Sequence, residues 1–148
     1  MRPPLPSTAY LAGPMRGYLE FNFPAFRNAA QTLRKRGLHV VSPHERDEDE
    51  GFDWTGTEGS DDDLKRAGFD IARTLASDID LIAAPLCEGV VCLPGWDRSR
   101  GAQAEVVFAR AIDKPVLFYE EASRSNGYRH SLYGTSGVEE WEDGERRG

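Results

Sequence analysis

The strongest constraint on this chain is an alternation between short apolar runs and segments of helical period. Four runs, Thr8 to Ala12 (TAYLA), Leu38 to Ser42 (LHVVS), Gly89 to Leu93 (GVVCL) and Pro115 to Tyr119 (PVLFY), are each bounded by Gly or Pro and read as buried strands. Between the first two, Phe26, Ala30 and Leu33 recur at helical spacing after Pro24, a good first-turn residue, and Gly37 closes the segment as a C-cap would. Residues from about Leu64 to Ala84 predict a second helix, with Ala67, Ile71, Leu75, Ile79 and Ile82 on one stripe and Pro85 at its end. Ser99 to Ile112 predicts a third. Strands alternating with helices require β-α-β crossovers, hence a parallel sheet covered on both faces. The 148 residues suit one domain, with a core from about 8 to 119. The expected fold is a three-layer α/β sandwich with a parallel sheet of four to five strands.

Two segments fall outside the alternation. Residues 45–63 have no apolar periodicity and predict a long exposed loop, of the kind that is usually functional or mobile. Residues 120–148 form a polar tail that carries Tyr128, Tyr133 and Trp141 and is expected either to be partly disordered or to pack on a second subunit. These segments also hold the acidity. The formal net charge is −7; residues 45–63 carry ten acids and one base, the tail seven acids and four bases, so the remainder is +5. An overall acidic chain is not expected to hold a nucleic-acid polymer through its phosphates, whereas a small anion needs only a few local cations. Cys87 and Cys92 have neither disulfide-framework nor zinc-site spacing, which points to reduced thiols in a cytoplasmic protein. No apolar run approaches membrane-spanning length, and Met1 to Ser7 lacks the apolar core of an export signal, so no membrane association is expected.

In parallel sheets ligands sit beyond the carboxyl ends of the strands, which directs attention to Gly13–Gly17 and Pro94–Ser99. The first loop, Gly13-Pro14-Met15-Arg16-Gly17, combines glycines that let backbone N–H groups approach an anion with a forked, permanently charged donor. It is neither a Walker loop nor a dinucleotide fingerprint. The second, Pro94-Gly95-Trp96-Asp97-Arg98-Ser99, ends in a natural N-cap with Arg98 and Arg100 beside it, a candidate anion seat. Glu105 stands on a helical stripe with Gly101, Ala102, Phe108 and Ala109. Such a carboxylate either pairs locally, for instance with Arg110, or faces the cleft as a nucleophile or base. Asp78 and Asp80 lie about 200° apart around a helix, so only one of them can face the cleft. His39, His44 and His130 show no metal-ligand spacing. Asp47, Asp49, Asp53 and Glu58 partly mimic a calcium loop, but Phe52 stands where that loop needs Gly, and no metal or other cofactor is expected.

Tyr10-Leu11-Ala12-Gly13-Pro14-Met15-Arg16-Gly17, a mid-chain helical Asp, and Leu93-Pro94-Gly95-Trp96 followed by Ser99-x-Gly101-Ala102-x-x-Glu105 resemble the nucleoside 2-deoxyribosyltransferase-like superfamily. More closely they resemble the small domain of unassigned function, found in phages and bacteria, that is grouped beside it. The resemblance implies a Rossmann/flavodoxin-like fold. It further implies that Glu105 attacks the anomeric carbon of a nucleoside or nucleotide, with Asp78, or Asp80 in the alternative register, at the leaving base. Tyr10, Gly13, Met15, Arg16, Gly17, Gly95, Trp96, Ser99 and Gly101 would line the substrate. Transferases acting on free nucleosides generally carry Asp six residues before the nucleophile; here that residue is Ser99, and Arg16-Gly17 matches the nucleoside 5′-monophosphate N-glycosidases. A hydroxyl at a helix start can donate to a phosphate that a carboxylate would repel.

The expected function is therefore hydrolysis of the base–sugar bond of a (deoxy)nucleoside 5′-monophosphate. Base exchange between deoxynucleosides and non-catalytic nucleotide binding are the alternatives. The resemblance also implies a homodimer or higher homo-oligomer.

Overall fold

The computed structural model describes residues 6–122. Tyr128, His130, Tyr133, Trp141 and the rest of the expected tail lie outside the described residues. Four strands, β1 (Thr8–Ala12), β2 (His39–Val41), β3 (Gly89–Cys92) and β4 (Val116–Phe118), form one parallel sheet in the order β2-β1-β3-β4. The expected α/β fold is observed, at the four-strand end of the expected range, in a Rossmann/flavodoxin-like arrangement.

Period-two alternation along the strands assigns each residue to a layer. Ala9 and Leu11 of β1 and Val91 of β3 face α1 (Phe23–Lys35), whose Phe26, Ala29, Ala30 and Leu33 complete that core. Tyr10 and Ala12 of β1 and Val90 and Cys92 of β3 face the opposite layer. There Ile82 of α4 (Ile71–Ala83) and Ala102, Val106 and Ala109 of α5 (Arg100–Ala111) cover them. The pleat that buries Leu11 against α1 thus turns Tyr10 toward α5. A last turn, α6 (Tyr119–Ala122), follows β4.

The region after β2 departs from expectation. Residues 45–63 are not one exposed loop: α2 (Pro43–Asp49) begins directly after Ser42, with Pro43 at its first position. Its inward face carries Pro43, His44 and Asp47, so a search for apolar periodicity passes over it. Nor is 64–84 one helix. Ser60 opens α3 (Asp61–Ala67) through a capping box with Asp63, and Gly68, at φ +69°, terminates it in the left-handed conformation. Asp70 then caps α4 by accepting from the Arg73 N–H. Ala67 is consequently exposed and off the expected stripe, and the buried positions of α4 are Asp78 and Ile82.

A third cluster, of Phe21, Phe23, Trp54 and Leu64 with Phe52 and Phe69 against it, binds this region to the first loop. Phe52 stacks on Trp54 at 5.5 Å and Phe21 lies 4.5 Å from Trp54 between ring centroids, contacts worth about 1 kcal/mol each beyond their area. The loop backbone is fixed at the same place: Gly17 N–H donates to Gly59 O at 2.7 Å and Glu20 N–H to Thr57 O at 2.9 Å. Glu20, Phe21 and Asn22 all have φ between +52° and +63°, a left-handed run that costs about 1–2 kcal/mol per residue and needs such external support.

Candidate active site

The chain passes from β1 to β2 on one side of β1 and later reaches β3 on the other. The loops after β1 and β3 therefore diverge at their carboxyl ends, where a crevice must open. A cavity of about 650 Å³ occupies this place, within the size range of small-molecule sites.

Its floor is polar and buried. Tyr10, fully buried on β1, donates its hydroxyl proton to Glu105 Oε2 at 2.6 Å. Glu105, one turn into α5, is 5% exposed, and Asp78 of α4 faces it closely enough for the two carboxyls to share a proton. Asp80 is exposed, so the register that sequence left open resolves to Asp78. Glu105 takes its hydrogen bond from Tyr10 and not from Arg110. Arg46 of α2 completes the group through a short hydrogen bond from Nη2 to Asp78 Oδ1, and its Nη1 is buried without a partner among the described residues.

Burial sets the electrostatics. It pushes the Glu105 carboxyl well above its ordinary range, and the neighbouring Asp78 charge pushes further, against the Tyr10 hydrogen bond. Asp78 is also raised by burial, with Arg46 opposing. Burial and the Glu105 charge together raise the Tyr10 hydroxyl, keeping it a donor. Burial acts against the Arg46 charge, but Asp78 outweighs it and the guanidinium is held protonated. Two carboxyls against one cation favour retention of a single proton between them.

The cavity rim carries the residues expected to meet an anion. Gly13, Met15, Arg16 and Gly17 line it from the first loop, and Gly95, Arg98, Ser99, Arg100 and Gly101 from the second. Ser99 caps α5 by accepting from the Ala102 N–H at 3.2 Å, leaving the helix start open toward the cavity. A Cβ on Gly101 would meet nothing within 4 Å, so there is room above the first turn of α5. On Gly95, at φ +89°, a Cβ would lie 2.8 Å from the Tyr18 hydroxyl, which is why the two loops can approach there. Arg16 pairs with Asp61 at 3.6 Å on the exposed rim. Two of the expected substrate residues do not line the cavity. Tyr10 lies beneath the floor, behind Glu105, and the Trp96 ring packs against Phe118. The turn Trp96–Arg98 points that indole toward β4 instead.

Sequence inspection missed the contributions of the segment after β2. Arg46 reaches the floor pair through Asp78, and Asp47, Trp54, Leu64 and Phe69 line the cavity together with Phe21 and Leu75. The signals available were Ser42-Pro43 as a helix start, the Ser60/Asp63 capping box and the aromatic spacing of Phe52, Trp54 and Phe69. The acids that mimicked a calcium loop are split apart, Asp47 buried and Asp49, Asp53 and Glu58 exposed. Among the described residues no group of His, Cys, Asp or Glu is arranged to hold a metal, and no helix is long and apolar enough to cross a membrane.

No curated protein matches this chain. A family model described as "Domain of unknown function (DUF4406)" matches residues 7–118, which takes in all four strands, both loops, and every residue of the cavity floor and rim named above. The chain belongs to that family, the DUF4406 domains.

Proposed function

We propose that this protein is an N-glycosidase that hydrolyses the base–sugar bond of a nucleoside 5′-monophosphate, with Glu105 as the nucleophile. The observation that carries the proposal is the buried Glu105–Asp78 pair, held by Tyr10 and Arg46, at the floor of a cavity whose rim offers Arg98, Arg100 and the start of α5 to an anion. The resemblance to the nucleoside 2-deoxyribosyltransferase-like superfamily supports the same assignment of Glu105 and Asp78.

With the 5′-phosphate at the rim and the base against the apolar wall, the anomeric carbon lies over Glu105. As the carbon–nitrogen bond lengthens, positive charge develops on the sugar and favours the ionised form of Glu105. The proton of the pair then resides on Asp78, next to the leaving base nitrogen that must accept it. Glu105 forms an ester with the anomeric carbon, and the free base departs with the Asp78 proton. Water subsequently attacks the ester, giving its proton to the Asp78 carboxylate, and releases the sugar 5-phosphate and the Glu105 carboxylate. Tyr10 holds Glu105 in place throughout, and Arg46 limits the cost of ionising the pair.

Incubation with a panel of ribo- and deoxyribonucleoside monophosphates, followed by chromatographic separation of products, tests the proposal. Free base is expected from the wild type and at least about a thousandfold less from Glu105→Gln. Absence of free base with every nucleotide, or unchanged turnover by Glu105→Gln, refutes it. Exchange with an added acceptor base faster than hydrolysis would instead identify a transferase.

A further inference from the structure

Asp47 has no place in the proposed reaction, yet it is 3% exposed and lines the same cavity as Asp78 and Glu105. Among the described residues its carboxyl accepts no hydrogen bond, and its one ion-pair partner is Arg46, whose Nη2 lies 3.9 Å from Asp47 Oδ1. The same nitrogen makes the short hydrogen bond to Asp78 Oδ1. Because one nitrogen reaches both, the Asp47 and Asp78 carboxyl oxygens lie no more than about 7 Å apart, and both groups are buried.

This sharing answers a conflict in the proposed chemistry. Asp78 must keep a proton to give to the leaving base, but a guanidinium hydrogen-bonded to a carboxyl favours the ionised form. Arg46 alone would hold Asp78 in place while drawing off its proton. A second carboxylate on Arg46 offsets the cation and leaves the hydrogen bond to Asp78 intact. Glu50 also pairs with Arg46, 3.6 Å from Nε, but its side chain is 52% exposed and water screens it. Asp47 is the buried counter-charge.

We propose that Asp47 is a positioning residue for the proton of the Glu105–Asp78 pair, its carboxylate balancing Arg46 so that the pair keeps this proton into alkaline solution. This rests on the roles proposed for the pair in base release. Burial first, then Asp78, Glu50 and Glu48 against the opposing Arg46, push the Asp47 carboxyl up to about 7, so it is ionised above neutrality. Loss of the pair's last proton then sets three buried carboxylates against one guanidinium; with Asn at position 47 it sets two. At about 7 Å and an effective dielectric constant of about 20, like charges separate their titrations by one to two pH units, and water entering the cavity brings this to about one.

The test follows the Asp78 and Glu105 side-chain carboxyl carbons by NMR from acid to alkaline pH, without ligand, in the wild type, Asp47→Asn and Glu50→Gln. The upper titration step of the pair is expected about one unit lower in Asp47→Asn and within about 0.3 unit of the wild type in Glu50→Gln. The alkaline limb of kcat for base release should move down by the same unit in Asp47→Asn, a shift that a purely structural role for Asp47 does not produce. An upper step that Asp47→Asn leaves in place, or that Glu50→Gln lowers equally, overturns the assignment. Base release whose alkaline limb is unmoved in Asp47→Asn would refute this inference and leave the glycosidase standing. A lowered carboxyl titration in a protein that frees no base from any nucleotide would refute the glycosidase and leave the coupling of Asp47 to the pair.

Discussion

Asp47→Asn also has a consequence for stability that can be worked out from the structure and measured without any ligand. Burial raises the Asp47 carboxyl from its ordinary 3.8 to about 7, with Arg46 opposing and Asp78, Glu50 and Glu48 adding to the rise. Because the folded value lies above the unfolded one, the folded chain binds the extra proton between these limits, and stability falls as pH rises through that window. At 1.36 kcal/mol per pH unit, a gap of about three units sets an upper limit of about 4 kcal/mol. Relaxation and water entering the cavity reduce this, and about 2 kcal/mol is a reasonable expectation. Asn at this position never ionises, so the variant escapes the penalty. Thermal unfolding at pH 4 should therefore give nearly equal Tm for the two proteins. By pH 8 the variant should melt roughly 6–8 °C higher, at about 3–4 °C per kcal/mol for a chain of this size. The gap should open between pH 4 and pH 7 and stay constant above. A Tm difference of the same size at both pH values, or a less stable variant at pH 8, would show that the native state does not hold Asp47 as a penalised buried acid.

Other perturbations separate the parts of the site. Tyr10→Phe removes the 2.6 Å donor from Glu105 and should lower kcat for base release about ten- to a hundredfold with little change in KM; a change confined to KM would place Tyr10 in binding instead. Arg98→Ala and Arg100→Ala should each raise KM for a nucleoside monophosphate about tenfold while leaving binding of the unphosphorylated nucleoside unchanged by calorimetry, the opposite pattern arguing against a phosphate at that rim. Gly59→Ala would drive a Cβ into the Tyr18 carbonyl oxygen at φ +78°, so a loss of about 3 kcal/mol and a Tm lower by roughly 10 °C are expected, with amide shifts concentrated in residues 15–21. An unchanged Tm would mean that the first loop does not depend on its pairing with residues 56–59.

The parts of this protein that were legible in its sequence are those where burial is apolar and periodic. Four five-residue runs located the four strands to within a residue or two, and Phe26, Ala30 and Leu33 located α1, because each of those three side chains is buried as its pattern requires. Glu105 was legible for the complementary reason, a lone carboxylate on a stripe of small and apolar residues. The pattern failed after β2, where the inward positions of α2 include His44 and Asp47 and where the aromatic cluster draws Phe52, Trp54 and Phe69 together from positions with no common period. It also ran α3 and α4 together, since both carry apolar residues at compatible spacing and only Gly68 and the Asp70 cap mark the break. The cost fell on the site: Arg46 was passed over, and Asp47 was weighed only as part of a calcium-loop mimic, because their segment looked like solvent-facing acid.

The placement of that acid clarifies what the net charge of −7 conceals. Within residues 45–63, Glu45 binds Arg34 and Glu48 pairs with Arg27, both on α1, while Glu50 pairs with Arg46, Asp61 with Arg16 and Asp63 with Arg66. With Asp47 beside Arg46, six of the ten acids therefore pair with cations of the framework, the cavity floor and the outer rim. Arg98 and Arg100 are treated differently: among the described residues neither makes an ion pair, although both border the cavity. Exposed pairs of this kind contribute little to stability, so their larger effect is on which positive charge stays available. A monoester phosphate small enough to sit on the α5 start meets two free guanidiniums. A polyanion extending past the rim would meet Asp49, Asp53, Glu58 and Asp62, all exposed, and at about 8 Å of screening length it would feel them. The acidic segment thus enters the site through Arg46 and Asp47 and surrounds it with exposed charge, and under the proposed function that outer charge is expected to disfavour a strand relative to a small, singly phosphorylated ligand.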